Sequence, residues 1–178
     1  PDFIIILIGT NDAKQELIVE HDDSSLVQLS LPQEPAHAWF KSNLQKIIKK
    51  FQDETEAKIA ICSIPPIGET IEHEGFKQSI KYSKTIKKIA KEMNVAYLPV
   101  NEEMIQYLQK HPSNPKYPLE KRLVQLSAVK YYFAGKSFDE ISRENGFTLM
   151  IDHIHLNTNG AKIVANLVIN FLREKALN

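Results

Sequence analysis

The sequence lacks several features that mark particular classes of protein. It contains a single cysteine, Cys62, which excludes an internal disulfide. Lys plus Arg and Asp plus Glu each number 22, so no charge excess indicates a nucleic-acid or anionic-membrane partner. No apolar run is long enough to span a bilayer, and no repeat or composition shift marks a domain boundary. The 178 residues therefore predict one domain, 1–178, with a sizeable core.

The most informative stretch is the first twelve residues. Six consecutive apolar residues, 3–8, are too few for a typical helix and do not alternate with polar ones. This pattern predicts a strand buried on both faces of a parallel sheet. Because the chain begins directly on this core strand, we expect that upstream sequence is missing.

The apolar strand stops at Gly9, and a polar Thr-Asn-Asp sequence follows. In open α/β sheets, ligands bind beyond the carboxyl ends of the strands, and this is where Asn11 lies. An asparagine at this position can instead be a turn residue that caps the next helix. The local sequence alone favours this structural role over a role in ligand binding.

The pattern of apolar residues farther along predicts alternating strands and helices. Strands are predicted at 57–64 and 95–100, and amphipathic helices from Pro35 to Phe51, at 76–93 and at 160–175. This alternation predicts a parallel α/β sheet covered by helices. The order breaks at about 101–147, where we expect a helical insertion: helices at 102–110 and 119–133, then a short helix between a Ser137–Glu140 capping box and Gly146. Its aromatic side chains are expected to be mostly buried.

Two other groups of residues are candidate sites by residue type. Cys62 and Ser63 end a predicted strand, but neither has a glycine-flanked turn or a basic neighbour, so we interpret them as core or turn residues. The Glu20–Ser25 cluster contains carboxylates and an imidazole that could bind a metal. Without a second cluster at ligand spacing, it is better interpreted as a solvated loop.

The strongest chemical signature is the Asp152-x-x-His155 motif. A carboxylate at this spacing can accept a hydrogen bond from the imidazole Nδ1, leaving Nε2 free to take a proton from a hydroxyl nucleophile. The side-chain amide of Asn11 could stabilise the resulting oxyanion. A metal site of Asp152, His153 and His155 is the alternative, since two histidines spaced by two on an extended segment face the same way. No third ligand of matching type is evident for that site.

In order and spacing, these stretches resemble the SGNH (GDSL-type) hydrolase family of esterases, lipases and carbohydrate deacetylases. Residues 1–12 are similar to its third block, an apolar strand followed by Gly-x-Asn-Asp, and residues 152–160 to its fifth block, Asp-x-x-His before a closing helix. The resemblance implies a three-layer α/β/α fold with a parallel, flavodoxin-like sheet. The first block, Gly-Asp-Ser, is absent from the sequence.

The resemblance also implies roles for individual residues. His155 is the general base, Asp152 orients it, Asn11 is an oxyanion-hole donor, and Gly9 permits the tight turn after the strand. The nucleophilic serine is implied to lie in a missing N-terminal part that also supplies further strands, so that the 178-residue chain is inactive alone. The implied substrate is a small-molecule or carbohydrate ester, and no metal or cofactor is implied. The alternative is a noncatalytic binding domain that retains the fold.

Overall fold

The computed structural model of the chain describes residues 1–21, 36–119 and 121–176. Within these ranges, a parallel sheet contains three strands in the order β1 (Phe3–Ile6), β2 (Lys58–Cys62) and β3 (Ala96–Leu98). In the register, Phe3 of β1 lies opposite Lys58 of β2, and Cys62 of β2 lies opposite Leu98 of β3. Because the strands are parallel, their carboxyl ends meet at one edge of the sheet.

Helices connect and follow the strands. They are α1 (Thr10–His21), α2 (His37–Glu54), α3 (Glu74–Glu92), α4 (Val100–Lys110), α5 (Lys121–Tyr132), α6 (Phe138–Asn145) and α7 (Thr158–Ala176). None of the described helices is long and apolar enough to cross a bilayer.

Both faces of the sheet are covered, as its apolar strands predicted. Along β2, Ile59 and Ile61 pack into one buried cluster, while Ala60 and Cys62 pack into another. The first cluster takes side chains from α1, α2 and α3, and the second takes them from α4, α5 and α7, with Phe76 from the first turn of α3. The prediction of a three-layer α/β/α arrangement is therefore confirmed.

Helix α1 was not predicted from the sequence. Of its side chains up to residue 17, the buried ones are Ala13 and Glu16, so no apolar stripe marks the helix. The buried carboxylate of Glu16 instead accepts hydrogen bonds from Lys81 Nζ and from the Tyr82 hydroxyl. The proposed loop at Glu20–Ser25 is wrong for its first two residues, which belong to α1; residues 22–25 lie outside the described ranges, as does Pro35.

The short helix α6 forms as predicted. Its N-cap Ser137 exchanges hydrogen bonds with Glu140 in a capping box, and Gly146 ends it with a φ of +83°. A Cβ at Gly146 would lie 2.1 Å from the carbonyl oxygen of Asn114. Only a residue without a side chain fits here, because the loop backbone passes directly against the end of the helix.

The expectation that the aromatic residues of 101–147 are mostly buried is wrong. The side chains of Tyr132 and Phe133 are 76% and 86% exposed, and those of Tyr131 and Phe138 are exposed as well; Phe147 is buried. Helix α5 packs through a narrow stripe in which Leu123 and Ser127 are the buried residues. Leu126 and Val129, which lie elsewhere on this helix, are therefore exposed to solvent.

Candidate active site

The Asp-x-x-His motif lies at the tip of a closed loop. Met150 and Leu156 form an isolated antiparallel bridge, which joins the two arms of the loop. Nearer the tip, the Ile151 amide donates a hydrogen bond to the carbonyl of His155 over 2.9 Å. Only a few residues separate the two arms, so the positions of Asp152 and His155 are fixed relative to each other by the backbone.

The predicted hydrogen bond between Asp152 and His155 is present. His155 Nδ1 lies 2.8 Å from Asp152 Oδ2, and Asp152 Oδ1 also accepts from the backbone amides of Ile154 and His155 at 3.2 and 2.9 Å. The Asp152 side chain is 2% exposed and the His155 side chain is 57% exposed. A buried carboxylate thus holds an imidazole whose Nε2 has no partner within the described ranges.

The electrostatic surroundings favour the charged form of His155. The hydrogen bond to Asp152 raises the pKa of the imidazole above 6.5, while partial burial and the positive charge of Lys14 act in the opposite direction. Lys14 belongs to α1, the helix that follows Gly9.

The segment before α1 has the sharp turn expected of it. Gly9 is buried and has a φ of +113°, and a Cβ there would lie 2.7 Å from the Phe40 ring. Asn11 is the second residue of α1; its side chain is exposed and has no hydrogen-bond partner among the described residues. Asn11 is therefore not the residue that caps α1, and no side chain or backbone group of the described ranges occupies its amide.

His153 faces away from the dyad. Its φ is +72°, its side chain is only 4% exposed, and its Nε2 lies 2.8 Å from the carbonyl oxygen of Tyr117. The alternative of a metal site at Asp152, His153 and His155 assumed an extended segment with both histidines on one side, and the loop does not have that form. Across the described ranges, no group of three or more His, Cys, Asp or Glu side chains is arranged to hold a metal ion.

Cys62 and Ser63 are both buried, in agreement with a core interpretation. Burial raises the pKa of the Cys62 thiol to about 11, so the nucleophilic thiolate is scarce at neutral pH. The Ser63 hydroxyl accepts from the Asn101 amide at 2.8 Å and donates to Glu102 over 3.1 Å. Neither side chain is available as a nucleophile.

Sequence reasoning missed Glu69, which hydrogen-bonds to the backbone just before the Asp-x-x-His loop. Glu69 is buried, and its two carboxylate oxygens accept hydrogen bonds from the backbone amides of Thr148 and Leu149, at 2.8 and 2.7 Å. Glu69 is separated from these partners by about eighty positions in the chain, so no local pattern identifies it.

Asn157 fixes the other end of the loop. Its Oδ1 accepts from the amides of Asn159 and Gly160 at the start of α7, and its Nδ2 donates to the carbonyl of Thr148 over 3.0 Å. Asparagine is a common N-cap, but the predicted helix began at residue 160 whereas α7 begins at Thr158, so this signal at Asn157 was missed. The same side chain thus ties the loop to the closing helix.

The model of one protein family, described as GDSL-like lipase/acylhydrolase, matches residues 1–168 of the chain. No curated protein matches at a significant level.

Several solved structures share the fold. An acetyl xylan esterase superposes with a TM-score of 0.63 at 20% identity, over 97% of this chain and 67% of that one. An acetylxylan esterase from Geobacillus stearothermophilus gives 0.58 at 17% identity, over 98% and 59%. An alpha/beta hydrolase enzyme from the metagenome of Lake Arreo, Spain, gives 0.60 at 16% identity, over 97% and 59%. The chain therefore spans 59–67% of the length of these structures.

Proposed function

Since the chain belongs to the GDSL-like lipase/acylhydrolase family, we propose that it carries the base, its orienting carboxylate and one oxyanion donor of an ester-hydrolase site. The proposal is carried by the 2.8 Å hydrogen bond between Asp152 and His155. It keeps the proton of the neutral imidazole on Nδ1 and leaves the lone pair of Nε2 toward solvent. The buried carboxylate also stabilises the imidazolium that forms when Nε2 accepts a proton.

The nucleophile in this proposal is a serine from outside the 178 residues. No serine hydroxyl in the described part of the chain hydrogen-bonds to His155. Two variants of the Geobacillus stearothermophilus esterase, a serine-to-alanine and an aspartate-to-alanine change, are described as catalytic mutants. That description supports a serine and an aspartate as members of the proposed site.

In the proposed reaction, the serine oxygen attacks the ester carbonyl and its proton passes to His155 Nε2. The amide of Asn11 donates to the oxyanion of the tetrahedral intermediate. The intermediate collapses to an acyl-serine as His155 protonates the departing alcohol. Water, activated by His155, then attacks the acyl group and releases the acid and the free serine.

We propose an acyl ester of a carbohydrate as the substrate class. Two structural neighbours are acetyl xylan esterases, and they support this choice of substrate class. At 17–20% identity, the comparison itself shows similarity of fold. An ester of a smaller alcohol is the alternative within the same reaction.

Turnover by the polypeptide that includes the proposed serine tests this function. His155→Ala should lower kcat by roughly three or more orders of magnitude, because the members of a triad act as a unit. Asn11→Ala should lower it about a hundredfold or more, as for loss of one oxyanion donor. The matched controls are His111→Ala and Asn166→Ala, which remove exposed side chains of the same types. Equal activity in all four variants would contradict the proposal and favour a noncatalytic binding domain.

A further inference from the structure

A buried carboxylate on α1 has no role in the site described above. Glu16 is only 9% exposed, and a buried acid of this kind needs partners to remain charged. Its Oε1 accepts a hydrogen bond from Lys81 Nζ over 2.7 Å, and its Oε2 accepts one from the Tyr82 hydroxyl. Both partners belong to α3, so the Glu16 side chain ties α1 to its neighbour on the same face of the sheet.

The partners of Glu16 keep it ionised. Burial acts to raise the pKa of this carboxyl, but the hydrogen bonds from Lys81 and Tyr82 and the charge of Lys81 outweigh burial and hold the pKa below its ordinary value. Hydrogen bonds to an ionised group are stronger than those between neutral groups. The tie between α1 and α3 is therefore a pair of charge-assisted hydrogen bonds.

The same contacts extend to the turn at Gly9. The Tyr82 ring is fully buried, and its centroid lies 4.8 Å from that of Phe40. Phe40 in turn packs against Gly9, at the place where any other residue would have its Cβ. The Ala13 amide closes the first turn of α1 by donating to the Gly9 carbonyl over 2.9 Å. This turn is thus held from two directions, since Phe40 packs against Gly9 and Glu16 binds α3.

Asn11 lies between these two points of attachment. An α-helix rises 1.5 Å per residue, so Glu16 is only about 7.5 Å farther along the helix axis than Asn11. Five residues also place the two side chains roughly 140° apart around the axis. Glu16 therefore faces α3 while Asn11 faces solvent, in agreement with its exposed side chain. A helix fixed through Glu16 fixes the point from which the Asn11 side chain projects.

We propose that Glu16 is a positioning residue for the oxyanion donor: its hydrogen bonds to α3 fix the first turn of α1 and thereby the place of the Asn11 amide. The proposal rests on the proposed function for the role of Asn11. A donor stabilises an oxyanion best when it is in place before the reaction, because no reorganisation is then needed. Glu16 acts through the helix rather than on the substrate, so its removal should lower kcat and leave KM unchanged.

Amide hydrogen exchange of the 178-residue chain tests the structural step without any turnover. Glu16→Leu replaces the carboxylate by an apolar side chain and should speed exchange of the Ala13 amide, relative to the Ile141 amide in α6, by about tenfold or more. Tyr82→Phe removes one hydroxyl, keeps the ring against Phe40, and should have a smaller effect in the same direction. An Ala13 exchange rate that both variants leave unchanged relative to Ile141 would overturn the proposal.

Matched substitutions show whether the effect belongs to this contact. Glu103→Leu removes an exposed carboxylate from α4, and Tyr107→Phe removes a hydroxyl that has no hydrogen-bond partner within the described ranges. Both should leave the relative exchange rate of Ala13 unchanged. Glu16→Gln keeps the size of the side chain and one acceptor oxygen, so it should retain most of the protection. Control variants that speed Ala13 exchange as much as Glu16→Leu would overturn the proposal.

Turnover by the polypeptide that includes the proposed serine tests the link to Asn11. Glu16→Leu should lower kcat about tenfold with KM unchanged, because the donor is displaced from its productive position. In an Asn11→Ala background the same substitution should have no further effect on kcat, because the group that it positions is gone. An equal fall in kcat in both backgrounds would overturn the proposal, since a general loss of stability acts with or without Asn11.

The two proposals fail separately. Ester hydrolysis that Asn11→Ala lowers, together with unchanged Ala13 exchange in Glu16→Leu, would overturn the positioning role and leave the ester-hydrolase proposal intact. Faster Ala13 exchange in Glu16→Leu without any ester hydrolysis would support the anchoring of α1 by Glu16 and contradict the ester-hydrolase proposal.

Discussion

Two histidines in one short loop have opposite surroundings. His155 is largely exposed and its Nδ1 is held by a carboxylate, whereas His153 is buried and its Nε2 is held by a carbonyl. The first environment favours the imidazolium and the second favours the neutral ring. The sequence shows only two histidines separated by one isoleucine, so this difference arises from the turn of the backbone at His153.

This difference predicts that the two rings titrate on opposite sides of pH 6.5. By NMR titration of the chain, His155 should have a pKa above 6.5 and His153 a pKa below it. Asp152→Asn should lower the pKa of His155, since it removes the charge and the acceptor that stabilise the imidazolium. An unchanged His155 pKa in that variant would contradict the assigned hydrogen bond.

The same shifts fix the sign of their effects on stability. The raised pKa of His155 stabilises the fold fully below pH 6.5, and this contribution is lost as the pH rises through the folded-state pKa. The lowered pKa of His153 makes the opposite contribution to the pH dependence of stability. The stability linked to its neutral ring is fully present above pH 6.5 and is lost as the pH falls through the folded-state pKa. The free energy of unfolding, measured with denaturant, should therefore fall less on acidification in His153→Phe than in the unchanged chain.

At the scale of elements, the loop with the dyad is held by side chains from distant segments. Glu69, which follows β2, binds the backbone on one arm, and Asn145 at the end of α6 donates to the carbonyl of Ile151 over 2.7 Å. Both side chains are buried. Removal of either leaves backbone groups of the loop without partners in a region closed to water.

Replacement of Glu69 by glutamine should destabilise the chain by about 1–3 kcal/mol, because only one of its two acceptor oxygens remains for two buried amides. Urea unfolding measures this change. Glu72→Gln is the matched control, since Glu72 is exposed, and it should change the free energy of unfolding by less than about 0.5 kcal/mol. Equal effects of the two substitutions would contradict the clamping role of Glu69.

The end of α6 provides a second test at this scale. Gly135 and Gly146 both have positive φ values, of 63° and 83°, but only Gly146 meets a backbone oxygen where a Cβ would be. Gly135→Ala should therefore lower the free energy of unfolding only by the conformational penalty of a positive φ, about 1–2 kcal/mol. Gly146→Ala should cost about 1–3 kcal/mol more, because the Asn114 backbone must move. Similar losses for both in urea unfolding would contradict the close packing at Gly146.

The elements that the sequence predicted were those with a regular apolar pattern or local capping chemistry. The strands, the amphipathic helices α2 and α3, and the capping box of α6 belong to this group. Helix α1 was missed because its inner face carries Glu16, and the burial of aromatics near α5 was wrong because apolar composition does not tell which face of a helix packs. Glu69 and the orientation of His153 depend on contacts across the fold, which no single segment encodes.

At the scale of the whole molecule, the three layers bring distant segments to one edge of the sheet. The turn at Gly9 follows β1, the segment containing Glu69 follows β2, and the Asp-x-x-His loop precedes α7. In the described part of the sheet, β1 pairs only with β2, and Leu7 and Ile8 beyond its end are exposed. The proposed site combines His155, Asp152 and Asn11 from this edge with a serine from outside the chain.

Intact-mass measurement after treatment with a serine-directed fluorophosphonate tests this central claim most directly. The 178-residue chain should take up no label, because His155 has no serine hydroxyl in reach among its described neighbours. The chain extended by the segment that supplies the proposed serine should take up one label, and His155→Ala should abolish it. Stoichiometric labelling of the 178-residue chain that His155→Ala abolishes would contradict the account, as would an extended chain that takes up no label.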